Sequence, residues 1–266
     1  MSAIDKLFTS LRSENRKALM PFVTAGDPDL EFTGEVIREL VSRGAAICEV
    51  GIPYSDPIAD GPVIQASYTR ALEKKVKLTG ILNMLGEVAP QVPAPLVTMV
   101  SYAIIYRHGV EAYADELSNR GVAGMIVPDL PVEESPQLAK ICAARDLSLV
   151  QLITPTTPQE RALRIAATSS GFIYYVSVAG ITGERTQLPP ELVDRVSWLR
   201  EQTPLPVCIG FGINQPEHVR LLSPVADGLI VGSAVVRRIA EAASNGRQAT
   251  LASVGDYLES MLAALN

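Results

Sequence analysis

One stretch, CEVGIPYSDPIADGP at residues 48 to 62, holds the side chains best suited to proton chemistry. Alternation along residues 46–52 puts Ile47, Glu49 and Gly51 on one face of a short strand, with Cys48 and Val50 on the other. If Cys48 and Val50 meet surrounding helices, Glu49 faces inward at a strand end. Desolvation there lifts a carboxyl's pKa toward working pH, the condition for a residue that donates and accepts a proton in one cycle. A purely structural glutamate would want an arginine or capping amides, and the strand offers no basic neighbour. The loop supplies two further carboxylates, Asp56 before Pro57 and Asp60 before Gly61-Pro62. Turn formation accounts for the first and helix capping for the second, and spacing alone does not rank them.

A second group of residues suits phosphate. The turns IGFGIN (209–214) and IVGSAVV (230–236) bring glycines to strand ends, where backbone amides can approach an anion and a helix N-terminus adds a positive dipole end. Gly212, Gly232 and Ser233, read as the N-cap of a short helix, form the proposed cradle. The long polar connection AGITGERTQLPP (179–190) offers the Gly183 amide and the Thr182 hydroxyl, although a plain surface loop would have the same composition.

Other chemistries are disfavoured. None of Lys6, Lys17, Lys74, Lys75, Lys77 or Lys140 closes a strand, which argues against a Schiff-base aldolase. The two histidines, His108 and His218, have no partner at ligand spacing, so no zinc or iron site is expected. Cys48, Cys142 and Cys208 sit apart in apolar segments and read as reduced thiols of a cytoplasmic protein. A net charge of −6 argues against nucleic acid or an acidic membrane surface as partner. Residues 1–20 carry charge throughout, unlike a signal peptide, and no run reaches membrane-spanning length.

The elements that must position these residues form a repeating series. Eight apolar runs, at 18–24, 46–52, 95–102, 123–129, 147–154, 172–178, 206–212 and 227–232, alternate with helical patterns. The helix after the first run shows one apolar face (Phe32, Val36, Ile37, Leu40, Val41) and ends at Gly44. Another is expected to begin at Pro62 and to bury Ile64, Tyr68, Ala71 and Leu72. Eight such alternations over 266 residues favour a single α/β domain, a (β/α)8 TIM barrel, over an open doubly wound sheet. Ile4, Leu7, Phe8 and Leu11 mark an extra N-terminal helix able to plug the barrel bottom. In this architecture chemistry sits at the C-terminal strand ends, where Glu49 and the glycine turns lie. Physical reading therefore reaches a barrel enzyme acting on a phosphorylated small molecule by carboxylate acid–base catalysis.

The stretches PFVTAGDP (21–28), EVGIPYSDPIADGPVIQ (49–65), VPDLPVEE (127–134), GFIYYVSVAGITGERT (171–186), GFGI (210–213) and VGSAVV (231–236) resemble, in order and over nearly the whole chain, the tryptophan synthase alpha chain family. The resemblance implies retro-aldol cleavage of indole-3-glycerol phosphate to indole and glyceraldehyde 3-phosphate, without a cofactor. It also implies an alpha2-beta2 complex in which a pyridoxal-phosphate beta chain receives the indole. Carried over, Glu49 is the acid–base residue that protonates the indole carbon and helps deprotonate the glycerol hydroxyl. Asp60 accepts the indole N–H as charge develops, and Thr182 bonds that aspartate when the loop closes. Gly183, Gly212, Gly232 and Ser233 match phosphate contacts, Phe22, Tyr174 and Phe211 the indole pocket, and Asp56 and Pro57 the partner surface. One stretch departs, since SYAIIYRHG (101–109) puts Ile104 where an interface asparagine belongs; Tyr54 replaces a common phenylalanine nearby. The departure motivates an alternative, a stand-alone lyase releasing free indole. A non-catalytic regulatory partner is the weaker alternative, because Glu49, Asp60 and Thr182 are all retained.

Overall fold

The computed structural model describes residues 1–57, 60–177, 190–210 and 212–265. Each of the eight apolar runs contains a strand: β1 (Ala18–Thr24), β2 (Cys48–Gly51), β3 (Leu96–Met99), β4 (Gly124–Ile126), β5 (Ser148–Ile153), β6 (Ile173–Val176), β7 (Val207–Gly210) and β8 (Gly228–Val231). All pairings are parallel and sequential, and β8 closes on β1, giving the closed barrel in chain order. The expected (β/α)8 architecture is therefore the observed one.

Alternation sorts the strand residues into two apolar layers. Ala18, Met20, Phe22, Ile47, Val97, Tyr174 and Cys208 fill the barrel interior. Leu19, Val23, Cys48, Val50, Ile173, Tyr175 and Ile209 face outward into a layer shared with the helices. Each such side chain contributes roughly 1.5–3 kcal/mol on full burial, which is why a one-residue slip in register is not tolerated. The helix Leu30–Ser42 shows how the covering layer forms. Asp29 caps it by accepting the Phe32 N–H at 2.8 Å, Phe32, Val36, Ile37 and Leu40 are buried, and Gly44 follows at φ +105°.

The N-terminal helix Ala3–Ser13 does close the barrel bottom. Ser2 and Asp5 form a reciprocal capping box, Ile4, Phe8 and Leu11 join the interior layer, and the rings of Phe8 and Phe172 lie 5.9 Å apart. Ser148 Oγ, at the start of β5, donates to Ser2 Oγ at 2.9 Å and fixes the plug to the N-terminal strand ends.

Two local expectations fail. Leu72 is exposed; in the helix Pro62–Glu73 the buried residues are Ile64, Ser67, Tyr68 and Ala71, so the inward face is centred one position away. The apolar run 95–102 ends as a strand at Met99, because Asp129 captures the Ser101 hydroxyl and the Tyr102 N–H and starts the helix Tyr102–His108 there.

Candidate active site

Glu49 sits on β2, paired in register with Phe22 of β1 and Val97 of β3, two interior residues. It is 0% exposed, and neither carboxyl oxygen has a hydrogen-bond partner among the described residues. Burial alone pushes its pKa well above the ordinary glutamate value. Ionised and unpartnered in such a place, a carboxylate would be costly; protonated, it is an acid ready to donate.

The second carboxylate comes from the loop after β2. Asp60 is half-buried, and burial raises its pKa from 3.8 to about 6. Its backbone is fixed on both sides: the Asp60 N–H donates to Pro57 O at 3.2 Å, and Gln65 Nε2 donates to Asp60 O at 2.7 Å. Pro62 then opens the helix Pro62–Glu73 at its first turn, where a missing N–H costs nothing. That helix is tied to β1 and the turn after it. Thr24 Oγ1 and Ser67 Oγ lie 2.6 Å apart, Arg70 grips Asp27 through Nε at 2.9 Å and Nη2 at 2.6 Å, and Lys74 Nζ donates to Pro28 O at 2.6 Å.

Aromatic side chains lie close to both carboxylates. A methyl group on Gly51 would overlap the Phe22 ring and stand 2.8 Å from Tyr68 Oη, and one on Gly210 would overlap the Tyr174 hydroxyl. These strand glycines exist so that aromatic side chains can lie across the backbone. Burial first, then the charges of Glu49 and Asp60, raises the Tyr174 pKa, so both carboxylates act on one phenol. Burial first, then Asp60, does the same to Tyr68. Asp60, Tyr68, Met99, Asp56 and Pro57 line one cavity of about 350 Å³ at the C-terminal ends of β2 to β4. Such a volume suits a bicyclic ligand.

At the other side of the mouth, Gly212 holds φ +78°. Ser233 is the first residue of the helix Ser233–Ala240 and not its N-cap; Gly232 takes that place, with no side-chain cap. The correction has a physical reason, since the Gly232 carbonyl accepts from Val235 and Val236 at 2.9 and 3.1 Å and so already lies within the first turn. The first amides of that helix have no intrahelical acceptor and are the donors an oxyanion requires. A methyl group on Gly232 would stand 3.7 Å from Phe22 Cβ, which places this turn beside the ring opposite Glu49.

The geometry thus brings together Phe22, Glu49, Asp60, Tyr174 and the Gly232–Ser233 turn. Thr182, Gly183 and Phe211 lie outside the described residues. Asp56 is exposed and Pro57 half-buried at the cavity rim. Ile104 is not at this cavity; it packs against the outer apolar layer and lines a separate cleft with Ile52, Pro53, Val76, Leu78 and His108. Sequence reading placed Tyr68 on a buried helix face without seeing its hydroxyl at Gly51, and missed the Asp27–Arg70 pair. A strand glycine two residues after the glutamate was the available signal for the first; nothing local signals the second.

The profile of the family described as tryptophan synthase alpha chain matches residues 8–264. A tryptophan synthase alpha chain of Rhodopirellula baltica is 54% identical over 276 residues, covering 100% of this chain and 99% of its own length. That of a Synechocystis species is 46% identical over 242 residues, covering 91% and 92%. Among solved structures, tryptophan synthase subunit alpha from Legionella pneumophila superposes with a TM-score of 0.90 at 34% identity, covering 100% and 98%. A chain of the aminoacrylate-bound tryptophan synthase of Mycobacterium tuberculosis gives 0.88 at 27% identity, covering 100% of both.

Proposed function

Because this chain belongs to the tryptophan synthase alpha chain family, a lyase family that cleaves indole-3-glycerol phosphate, we propose that Glu49 and Asp60 carry out that cleavage at the mouth of the barrel. The observation that carries the reading is the Glu49 carboxyl, wholly buried and without a partner among the described residues, on the interior face of β2. Protonated, it delivers a proton to the indole carbon that bears the glycerol chain, and Asp60, ionised above about pH 6, takes up the N–H as positive charge develops on the ring. The Glu49 carboxylate then removes the proton of the hydroxyl on the adjacent side-chain carbon. The carbon–carbon bond breaks, its electron pair returns to the ring, and the side chain leaves as an aldehyde with Glu49 reprotonated.

Phe22 and Tyr174 supply the walls of the indole pocket, and Tyr68 closes the Asp60 side. The amides at Gly212, Gly232 and Ser233 hold the phosphate, joined by Thr182, Gly183 and Phe211 for loop, phosphate and ring contacts. The whole chain, 1–266, acts as one TIM-barrel domain without a cofactor. It works in the cytoplasm as half of an alpha2-beta2 complex, with Asp56 and Pro57 at the surface that meets the beta chain. Among the described residues no helix is long and apolar enough to cross a membrane.

Ile104 is the feature that points toward a stand-alone lyase. Its packing against this chain's own outer layer accounts for its apolar character without reference to a partner, so the complex is the preferred reading. Indole release by E49Q tests the catalytic assignment, and an unchanged rate in a folded variant would end it. Titrating the native protein with a cognate beta chain tests the assembly; no association and no change in rate would return the stand-alone enzyme to first place.

A further inference from the structure

The opposite end of the barrel holds a cavity whose chemistry the reaction does not use. Arg12, Arg16, Lys17 and Arg200 converge on a space of about 360 Å³ behind the N-terminal plug, and the one carboxylate among its lining residues is Asp227. Four cations against one anion is a local excess of positive charge in a chain whose net charge is −6.

Asp227 is already committed. Its Oδ2 accepts the Val207 N–H at 2.9 Å, and its Oδ1 lies 3.7 Å from Arg12 Nε and 3.6 Å from Arg200 Nη2. The remaining contacts of the cations go to neutral carbonyls: Arg12 Nη1 to Pro204 O at 3.0 Å, Lys17 Nζ to Ala226 O at 2.7 Å, and Arg200 Nη1 to Val225 O at 3.3 Å. Arg16 pairs outward with Glu14 at 2.9 Å. A guanidinium has five N–H donors, so the partly exposed Arg12 and Arg200 keep donors that these contacts do not use. The cations also oppose one another: burial lowers the Lys17 pKa, Asp227 restores part of it, and Arg200 and Arg12 depress it further. Carbonyl capping explains one bond from each side chain but not why like charges are gathered around an open volume.

We propose that this cavity is a binding site for a compact multivalent oxyanion of the phosphate or pyrophosphate type, held by Arg12, Lys17 and Arg200. Planar forks from two arginines and a point charge from lysine match such an anion, and its arrival relieves the mutual repulsion. The anion would clamp three segments that line this cavity, the plug helix, the residue before β1 and the helix Pro190–Gln202.

The test is calorimetric titration with inorganic pyrophosphate at constant ionic strength, in the full chain carrying S233D. That substitution places a carboxylate at the first turn of the helix Ser233–Ala240 and repels anions from the proposed substrate-phosphate site. One pyrophosphate per chain is expected to bind S233D. Adding K17M or R12Q should weaken it by at least about tenfold, the loss of one charge-assisted hydrogen bond. K17M leaves both arginine contacts to Asp227 in place, so it keeps the test open if R12Q does not fold. A parallel titration with glycerol 3-phosphate assigns the source: comparable binding points to a phosphate monoester, much weaker binding to a free inorganic anion. No pyrophosphate binding to S233D, or affinity unchanged by K17M in folded protein, overturns the proposal.

Discussion

Asp27, in the turn after β1, and Glu49, on the neighbouring strand β2, are carboxylates 2% and 0% exposed, yet they are buried for opposite purposes. Asp27 is gripped by Arg70 through two hydrogen bonds of 2.9 and 2.6 Å, while neither oxygen of Glu49 has a partner among the described residues. Burial alone therefore does not mark a catalytic acid. A buried charge with its partner present fixes structure, here by tying the helix that follows Asp60 to the turn after β1. A buried carboxyl without one is held neutral at a cost to stability, and in a barrel mouth that cost is the signature of chemistry.

Glu49 is where substitution has the larger consequence for rate. Replacing it by glutamine keeps volume and removes the titrating proton, so kcat should fall by about 10³–10⁴, while stability at pH 7 should be equal or higher because no buried charge is left to form. Steady-state indole release together with urea denaturation reads both quantities. A fall in stability matching the fall in rate would make Glu49 a structural residue like Asp27. Asp60 should come next: D60N is expected to lower kcat by about 10²-fold, since an amide can accept the indole N–H but cannot offset its charge.

At Asp27 the same kind of change should act in the other direction. D27A leaves Arg70 without its anion, and breaking a buried pair costs about 3–5 kcal/mol. Arg70 is 39% exposed and can turn to water, so the expected loss is nearer about 2 kcal/mol. The rate per folded molecule should change little, because Thr24–Ser67 and Lys74–Pro28 still hold the helix. A large drop in kcat with stability intact would place Asp27 in the catalytic machinery and dissolve the contrast.

How far the sequence carried this contrast follows from the range of the interactions. Strand positions, the inward face of Glu49 and the plug helix were readable because alternation and helical period are local. So were the glycine turns, though not which residue capped the last helix, since Gly232 and Ser233 differ only in where the first carbonyl points. The choice between Asp56 and Asp60 was not readable, because the burial of Asp60 is set by the three-dimensional packing around it and not by its sequence neighbours. Arg70 and Asp27 are 43 positions apart, and no local pattern joins them. The family resemblance implies Asp60, and its half-buried carboxyl, against the exposed Asp56 on the same cavity, supports that choice.

The smallest expected effect is also the one that isolates burial from pairing. Asp60 has its pKa raised from 3.8 to about 6 in the folded protein, so between those values the native state binds more protons than the unfolded chain. The stability it contributes is fully present below about pH 3.8 and is lost as pH rises through about 6. Each pKa unit corresponds to about 1.4 kcal/mol, and partial solvent access reduces the whole effect to about 1–2 kcal/mol. Glu49, raised for the same reason, carries the same sign. Chemical denaturation at pH 4, 5, 6 and 7 should therefore show D60N gaining on the native protein as pH rises, with most of the gain between pH 4 and 6. Parallel curves would mean that the Asp60 carboxylate finds a partner in solution, and that it belongs with Asp27 and not with Glu49.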